Sequence, residues 1–222
     1  MKTKMSRLAL GLGLVMTLVL FVAAGAEAQE TIKLSQPDFS QAGKNVLEAI
    51  KDRKSERTYG PGDLSRKQLS EVLWVAGGIN RTFEDGKVGR TAPTSHNDQA
   101  IDIYAFTKTG VYKYDPLKHE LTRYIEGDHR GSSGVQSYVA NAPLNLLYVA
   151  DISKISGDTT DYKVRSACMD VGHISENVYL YASAYGLSAI CRSNIDPGEL
   201  RTLLKLGEHF EPLLGQTVGL PQ

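Results

Sequence analysis

The run Gly172-His173-Ile174-Ser175-Glu176-Asn177-Val178-Tyr179-Leu180-Tyr181-Ala182-Ser183-Ala184-Tyr185-Gly186-Leu187 decides how the rest of the chain is read. It is the second half of a long helix predicted from about Tyr162 to Tyr185. Cys168, Gly172, Ser175, Tyr179 and Ala182 recur at three- and four-residue steps, so a stripe of mostly small side chains lets this helix lie close to a neighbour, and Gly186 supplies the stop. Upstream, the polar stretch from Asp151 to Thr160 reads as an exposed loop. Downstream, Leu187 to Cys191 is strand-like, Asp196 caps a helix with Pro197 at its first position, and Leu200, Leu203 and Leu204 continue it. The segment from Pro212 to Pro221 reads as extended.

Further toward the N-terminus the period changes. Ile101–Thr107, Val111–Asp115 and Leu121–Ile125 are short runs rich in β-branched and aromatic residues, separated by Gly110 and Pro116, and they predict a strand meander. His119 falls on a connection expected to be exposed. The uninterrupted apolar run Leu144–Ala150 suits a central strand covered on both faces. Before the meander, Ser65 and Gln68 form a capping box for a helix with Leu69, Val72, Leu73 and Ala76 on one face, ended by Gly77-Gly78. Ala42–Lys51 predicts a short amphipathic helix through Val46, Leu47 and Ile50. Helices interleaved with strands, without an internal repeat, predict one α+β domain.

The chain has 222 residues, 41% hydrophobic and 23% charged, the balance of a globular domain with a full core. Lys2, Lys4 and Arg7 precede an uncharged stretch from Leu8 to Ala26, and Ala26-Glu27-Ala28 offers small residues at a cleavage site. Residues 1–28 are therefore expected to be a signal peptide, with residues 29–222 exported to the periplasm or the exterior. Retention of the nineteen apolar residues as an anchor is the alternative. Without the leader, 22 basic side chains stand against 24 acidic ones, which points away from nucleic acid or an anionic membrane as partner. Two cysteines, Cys168 and Cys191, are too few for a disulfide scaffold and read equally well as one bond or as a buried pair of thiols. The five histidines show no metal-ligand spacing, and no nucleophile elbow or phosphate-binding loop is present.

Two polar clusters could carry chemistry. Arg53-Lys54-Ser55-Glu56-Arg57 concentrates three cations and a hydroxyl before the Gly60-Pro61-Gly62 turn; guanidinium forks and a serine hydroxyl suit a phosphate, and a solvated face is the plainer reading. Arg90-Thr91-Ala92-Pro93-Thr94-Ser95-His96-Asn97-Asp98-Gln99 gathers amides and hydroxyls where a strand begins. Such amides match the alternating donors and acceptors of a flat heterocycle, or simply an exposed Asx turn.

Taken in order, these segments resemble the nitroreductase-like flavoproteins. Arg53, Ser55, Arg57 and Tyr59 resemble that family's N-terminal basic-serine signature. Pro93-Thr94-Ser95 with Asn97 and Gln99 is similar to its Pro-Ser-x-x-Asn-x-Gln segment, the run from Gly172 to Leu187 to its central helix, and Gly215–Pro221 to its closing strand. The resemblance spans residues 45–222. It implies a three-layer α+β sandwich with a central, mostly antiparallel sheet flanked by helices, and FMN at the interface of a homodimer. Implied cofactor-binding residues are Arg53, Lys54 and Ser55 at the phosphate, Arg57 at the pyrimidine edge, Pro93, Thr94, Ser95, Asn97 and Gln99 around the ring, and Ser193 and Asn194 near N5 through backbone groups.

The implied function is an FMN-dependent oxidoreductase passing electrons from a donor to a small acceptor such as a nitroaromatic or quinone, the flavin carrying the chemistry. Gly172-His173 with Asn177 leans toward the subgroup related to oxidases of peptide azolines, without an equivalent of that subgroup's Lys-Tyr pair. A flavin oxidase, or a flavin-binding protein without turnover, are the alternatives. Two departures stand out: the chain ends at Gln222 without the family's basic C-terminal arm, for which Arg192 or a partner residue is the candidate substitute, and Asn194 occupies a position where glycine is common.

Overall fold

The computed structural model describes residues 29–41 and 43–222; the expected leader lies outside the described residues. The elements in chain order are β1 (Thr31–Lys33), α1 (Val46–Asp52), α2 (Arg66–Gly77), β2 (Ile79–Thr82), β3 (Val88–Arg90), β4 (Ile101–Phe106) and β5 (Gly110–Asp115). They continue with β6 (Glu120–Glu126), β7 (Leu144–Asp151), α3 (Thr160–Tyr185), β8 (Ser188–Arg192), α4 (Pro197–Leu203) and β9 (Phe210–Gly219). Seven strands form one sheet in the order β1-β6-β5-β4-β7-β9-β8, every pairing antiparallel. Alternation along the strands divides the core between two faces. On one, Ile101, Ile103, Leu146 and Tyr148 pack with Val72, Leu73, Val171, Ile174 and Val178 of α2 and α3. On the other, Tyr104, Phe106, Leu147 and Val149 meet Leu200 and Leu204 at α4. Helices on both faces of an antiparallel sheet make the expected three-layer α+β sandwich.

The strongest sequence signals have their expected physical causes. Ser65 and Gln68 form both halves of the capping box that starts α2. Gly186 ends α3 at φ +70°, a left-handed conformation that costs a residue without Cβ little. All eight residues of β7 are buried between β4 and β9. Pro212 lies inside the ten-residue β9, but at a register irregularity against Tyr148 and Val149 and beyond the part of β9 that pairs with β8. No ladder bond is demanded of it there.

Several expectations are corrected. Helix α1 forms, yet Val46, Leu47 and Ile50 are exposed and only Ala49 is buried. The lead-in before it contains β1, paired with β6, and then threads across α2. Between α2 and the meander the chain forms a β2–β3 hairpin turning at Phe83–Lys87, whose strands, Ile79–Thr82 and Val88–Arg90, lack apolar alternation. Cys168 and Cys191 are both free; Cys168 is exposed on α3, so they are neither a bond nor a buried pair.

His119 is not on an exposed connection: it is 5% exposed. Its Nδ1 lies 2.7 Å from the Tyr114 hydroxyl, and its Nε2 lies 3.0 Å from the Ser35 carbonyl and 2.9 Å from Ser70 Oγ. A carbonyl only accepts, so Nε2 carries the hydrogen of the neutral ring and Nδ1 accepts from Tyr114. Burial holds the imidazole pKa below its usual 6.5. The unfolded chain therefore takes up this proton first as pH falls, and the stability present above pH 6.5 is lost below it. His119→Gln should flatten the decline in thermal midpoint from about pH 7 to about pH 5 relative to the parent; an equally steep decline would assign the sensitivity to other groups.

Candidate functional site

Helix α1 ends at Arg53, and the next residues run along the outer edge of β8, where the Glu56 N–H donates to the Ala189 carbonyl at 3.0 Å. This extended path aims Arg53 and Ser55 at one residue of α3. The Arg53 guanidinium lies over the Tyr179 ring, 5.2 Å from its centroid, and Ser55 Oγ is 2.9 Å from the Tyr179 hydroxyl. That hydroxyl also accepts the Cys191 N–H at 2.8 Å. Desolvation raises the phenol's pKa, so it stays a neutral donor and acceptor. Lys54 is exposed and paired with Glu56 at 2.9 Å, and Arg57 is exposed. Lys54, Tyr179, Ser183, Leu187 and Ala189 line a recess of about 240 Å³. Tyr179 was read from the sequence only as part of the helix stripe; a phenol on a buried stripe needs a polar partner, and that was the available signal.

The second cluster is built on the β2–β3 hairpin. Ser95–Asn97 form a 3-10 turn in which His96 and Asn97 have φ of 51° and 59°, and Gln99 follows at 48°. Asn97 Nδ2 donates to the Val88 carbonyl at 3.0 Å, while Gln99 Nε2 donates to the same carbonyl at 2.7 Å and to Asn97 Oδ1 at 3.0 Å. Gln99 Oε1 accepts from Arg90 Nε at 3.0 Å. Gln99 has thus committed both amide hydrogens and positions the turn, whereas Asn97 keeps one N–H and one lone pair for a ligand. Thr94 Oγ1 accepts the Gln99 N–H at 3.2 Å. Pro93 is exposed, and Asp170 of α3 accepts a backbone bond from Ser95.

One chain does not bring the two clusters together. The basic loop meets α3 at Tyr179; the second cluster begins beside α3, where Asn177 Nδ2 donates to the Thr91 carbonyl at 3.3 Å, and its Ser95 turn faces Asp170, nine residues before Tyr179, or about 14 Å along the helix axis. Ser193 and Asn194 are exposed just past β8, with the Ile195 N–H donating to the Ser193 carbonyl at 2.9 Å.

Arg192 is not placed to serve as a phosphate ligand. Alternation along β8 turns it to the face opposite Cys191, where it is 5% exposed. Its NH2 group donates to the Ser133 carbonyl at 3.0 Å and to Asn145 Oδ1 at 3.2 Å, NH1 donates to Thr217, and Nε has no partner. Among the described residues no carboxylate pairs with it, and desolvation lowers its pKa. The NH1 and NH2 donors of this cation are spent on holding the loop at Ser133 to β7 and β9.

Residues 50–220 match the Nitroreductase family, and the chain belongs to that family. It is 28% identical over 200 residues to a Methanocaldococcus jannaschii protein assigned to the nitroreductases, covering 86% of this chain and 97% of that one. A crystal structure from Ralstonia eutropha, likewise assigned to the nitroreductases, is 35% identical with a TM-score of 0.79, covering 86% of this chain and 90% of that one. A chain of the Escherichia coli microcin synthetase complex has the same fold at 21% identity and a TM-score of 0.62, covering 95% of this chain and 85% of its own. The family makes this an oxidoreductase of nitroreductase type.

Tyr179→Phe removes the acceptor of the Cys191 N–H and the partner of Ser55 while keeping the ring beneath Arg53. It should cost about 1–3 kcal/mol of unfolding free energy by denaturant titration, the range for stranding a buried donor. A loss below about 0.5 kcal/mol would show that the hydroxyl does not hold the loop to the helix.

Proposed function

We propose that the protein is an FMN-dependent oxidoreductase whose two sites are each built from two copies of the chain, taking electrons from a donor and passing them to a small acceptor such as a nitroaromatic or quinone. The observation that carries this reading is the pairing of a basic-serine loop with an amide turn held about two and a half helical turns away on the same helix. A second copy with its α3 antiparallel to the first would set the partner's turn beside Arg53 and Ser55. The surface fits such a contact: Leu47 and Ile50 are 74% and 54% exposed, and Met169 of α3 is 57% exposed. A Cβ added at Gly172, on the small-residue stripe, would meet nothing within 4 Å in its own chain.

The residues suit the cofactor at its phosphate end. Arg53 offers a planar fork of donors and Ser55 a hydroxyl, beside the recess over Tyr179. Bound FMN would supply two-electron redox chemistry that side chains cannot. Arg57 would place a cation at the pyrimidine edge and favour the anionic reduced state. Asn97, with Pro93, Thr94 and Ser95 of the second copy, would bond and enclose the ring, Gln99 would hold Asn97 in place, and backbone groups at Ser193 and Asn194 would approach N5. We further propose export through residues 1–28, which N-terminal sequencing of the secreted protein would test by a start at Gln29.

A second reading, an oxidase that uses dioxygen, is favoured by the resemblance of Gly172-His173 with Asn177 to the subgroup of azoline oxidases. Stoichiometric peroxide during aerobic turnover would distinguish it.

Arg53→Ala should weaken FMN binding by about 1.5–3 kcal/mol, the worth of a hydrogen bond to a charged group, read from the flavin absorption retained on gel filtration. Unchanged affinity would remove the phosphate assignment. If the sites are composite, mixing Arg53→Ala with Asn97→Ala subunits should recover parental flavin affinity at one site per mixed dimer, tighter than either variant alone, because that site is then intact. No recovery in exchanged dimers would contradict the shared site.

A further inference from the structure

A separate cleft of about 470 Å³ lies between α1, α2, α3 and the lead-in chain. Its walls are aromatic. Phe39 of the lead-in meets Trp74 of α2 edge to face with centroids 5.3 Å apart, and Tyr181 stacks on Tyr185 of α3 at 4.7 Å. Gly78 makes the position of the indole possible, since a Cβ there would collide with the Trp74 ring. The Trp74 Nε1–H is used by the Ile79 carbonyl at 3.2 Å, and the Asn177 amide is committed to the Val75 and Thr91 carbonyls. Ring surfaces and carboxylates are left to meet a ligand.

The charges are unbalanced. Glu71 is 7% exposed, and its carboxylate accepts from the Tyr181 hydroxyl at 2.6 Å and from the Asp38 N–H at 3.3 Å. Lys67 stands between the two acids, 3.1 Å from Asp38 and 3.9 Å from Glu71. Lys44, the cation on the cleft lining itself, is paired with Asp52 at 2.8 Å. The Asp38 pKa is lowered to about 2, chiefly by the Ser40 hydroxyl and Lys67, so this acid stays ionised. Two carboxylates thus share one lysine, and the cleft retains an excess negative charge beside electron-rich rings. That combination recognises organic cations: the ring faces attract the charge and solvate the apolar body, and a carboxylate fixes the ammonium end. The volume lies within the usual range for small-molecule sites.

We propose that this cleft binds an organic ammonium ion on an aromatic or alkyl body, held among Phe39, Trp74 and Tyr181 with its charge against Glu71 and Asp38. The site is independent of the flavin reading. Phe39 and Asp38 also precede the family-matched residues 50–220, so one wall belongs to this chain's own lead-in.

Trp74 is the only tryptophan in the chain, so its emission reports on the cleft directly. The experiment titrates the full purified protein with phenethylammonium and, separately, with the similarly sized anion 3-phenylpropionate, reading tryptophan fluorescence. A saturable change with the amine and none with the anion is expected. Asp38→Asn and Phe39→Ala, both at exposed positions, should each weaken the amine about three- to thirtyfold, the span of one ring–cation or ion-pair contact. Glu71→Gln should weaken it at least as much. Equal responses to both probes, no saturable response, or affinity unchanged in all three variants would overturn the proposal. So would emission that follows protein dilution and ignores the amine, because a second copy of the chain would then fill the cleft.

Discussion

The hydroxyl of Tyr179 is the joint on which the architecture around the site depends. It accepts the N–H of Cys191 from an outer strand and meets Ser55 from the loop after α1, and its ring lies under Arg53. Helix, sheet edge and basic loop are thereby fixed to one another through one side chain. Without that joint, Arg53 and Ser55 would sit on an exposed segment with no reason to hold one geometry. Polar contacts of this kind add little net stability but define position, because a buried donor left unpaired is costly.

The same logic runs through the sheet. The Tyr148 hydroxyl donates to Gln216, and Gln216 donates to the Ser175 carbonyl of α3, linking the central strand, its neighbour and the helix by buried bonds. On the opposite face, Arg192 ties the loop at Ser133 to Asn145 and Thr217. A guanidinium there, with no carboxylate beside it among the described residues, is held by neutral acceptors. Its position beside Ser193 makes it a brace for the turn that leaves β8.

Against this tightly bonded interior, the surface around α1 and the exposed side of α3 looks unfinished. Leu47, Ile50 and Met169 are apolar and uncovered, and the space over Gly172 is open. A helix whose hydrophobic pattern faces outward finds its complement in another surface, and in the proposed dimer a second copy of the chain would place the separated half-sites side by side. The aromatic cleft has a different character. Val46 and Ala49 of α1 line it, whereas Leu47 and Ile50 do not, and its carboxylates call for a cation rather than for an apolar partner.

Local rules settled much of the chain from the sequence by itself. The Ser65–Gln68 box, the stop at Gly186, the Asp196-Pro197 start of α4 and the strand meander depend on neighbours within a few residues, and they stand where the sequence puts them. Both polar clusters were legible as clusters, because arginine forks and amides advertise their chemistry in any fold. Only the tertiary structure decided what these residues face. It buried His119 under Ser35 and Tyr114, turned the apolar side of α1 outward, hid Arg192 behind β8, and committed both amide hydrogens of Gln99 while engaging only one of Asn97. It also joined Asp38 and Phe39 to Glu71 and Trp74, more than thirty residues away. The physical reason is the same throughout: caps, turns and periodicity are short-range and written in adjacent residues, whereas burial and charge balance depend on which distant segments the packed sheet brings into contact.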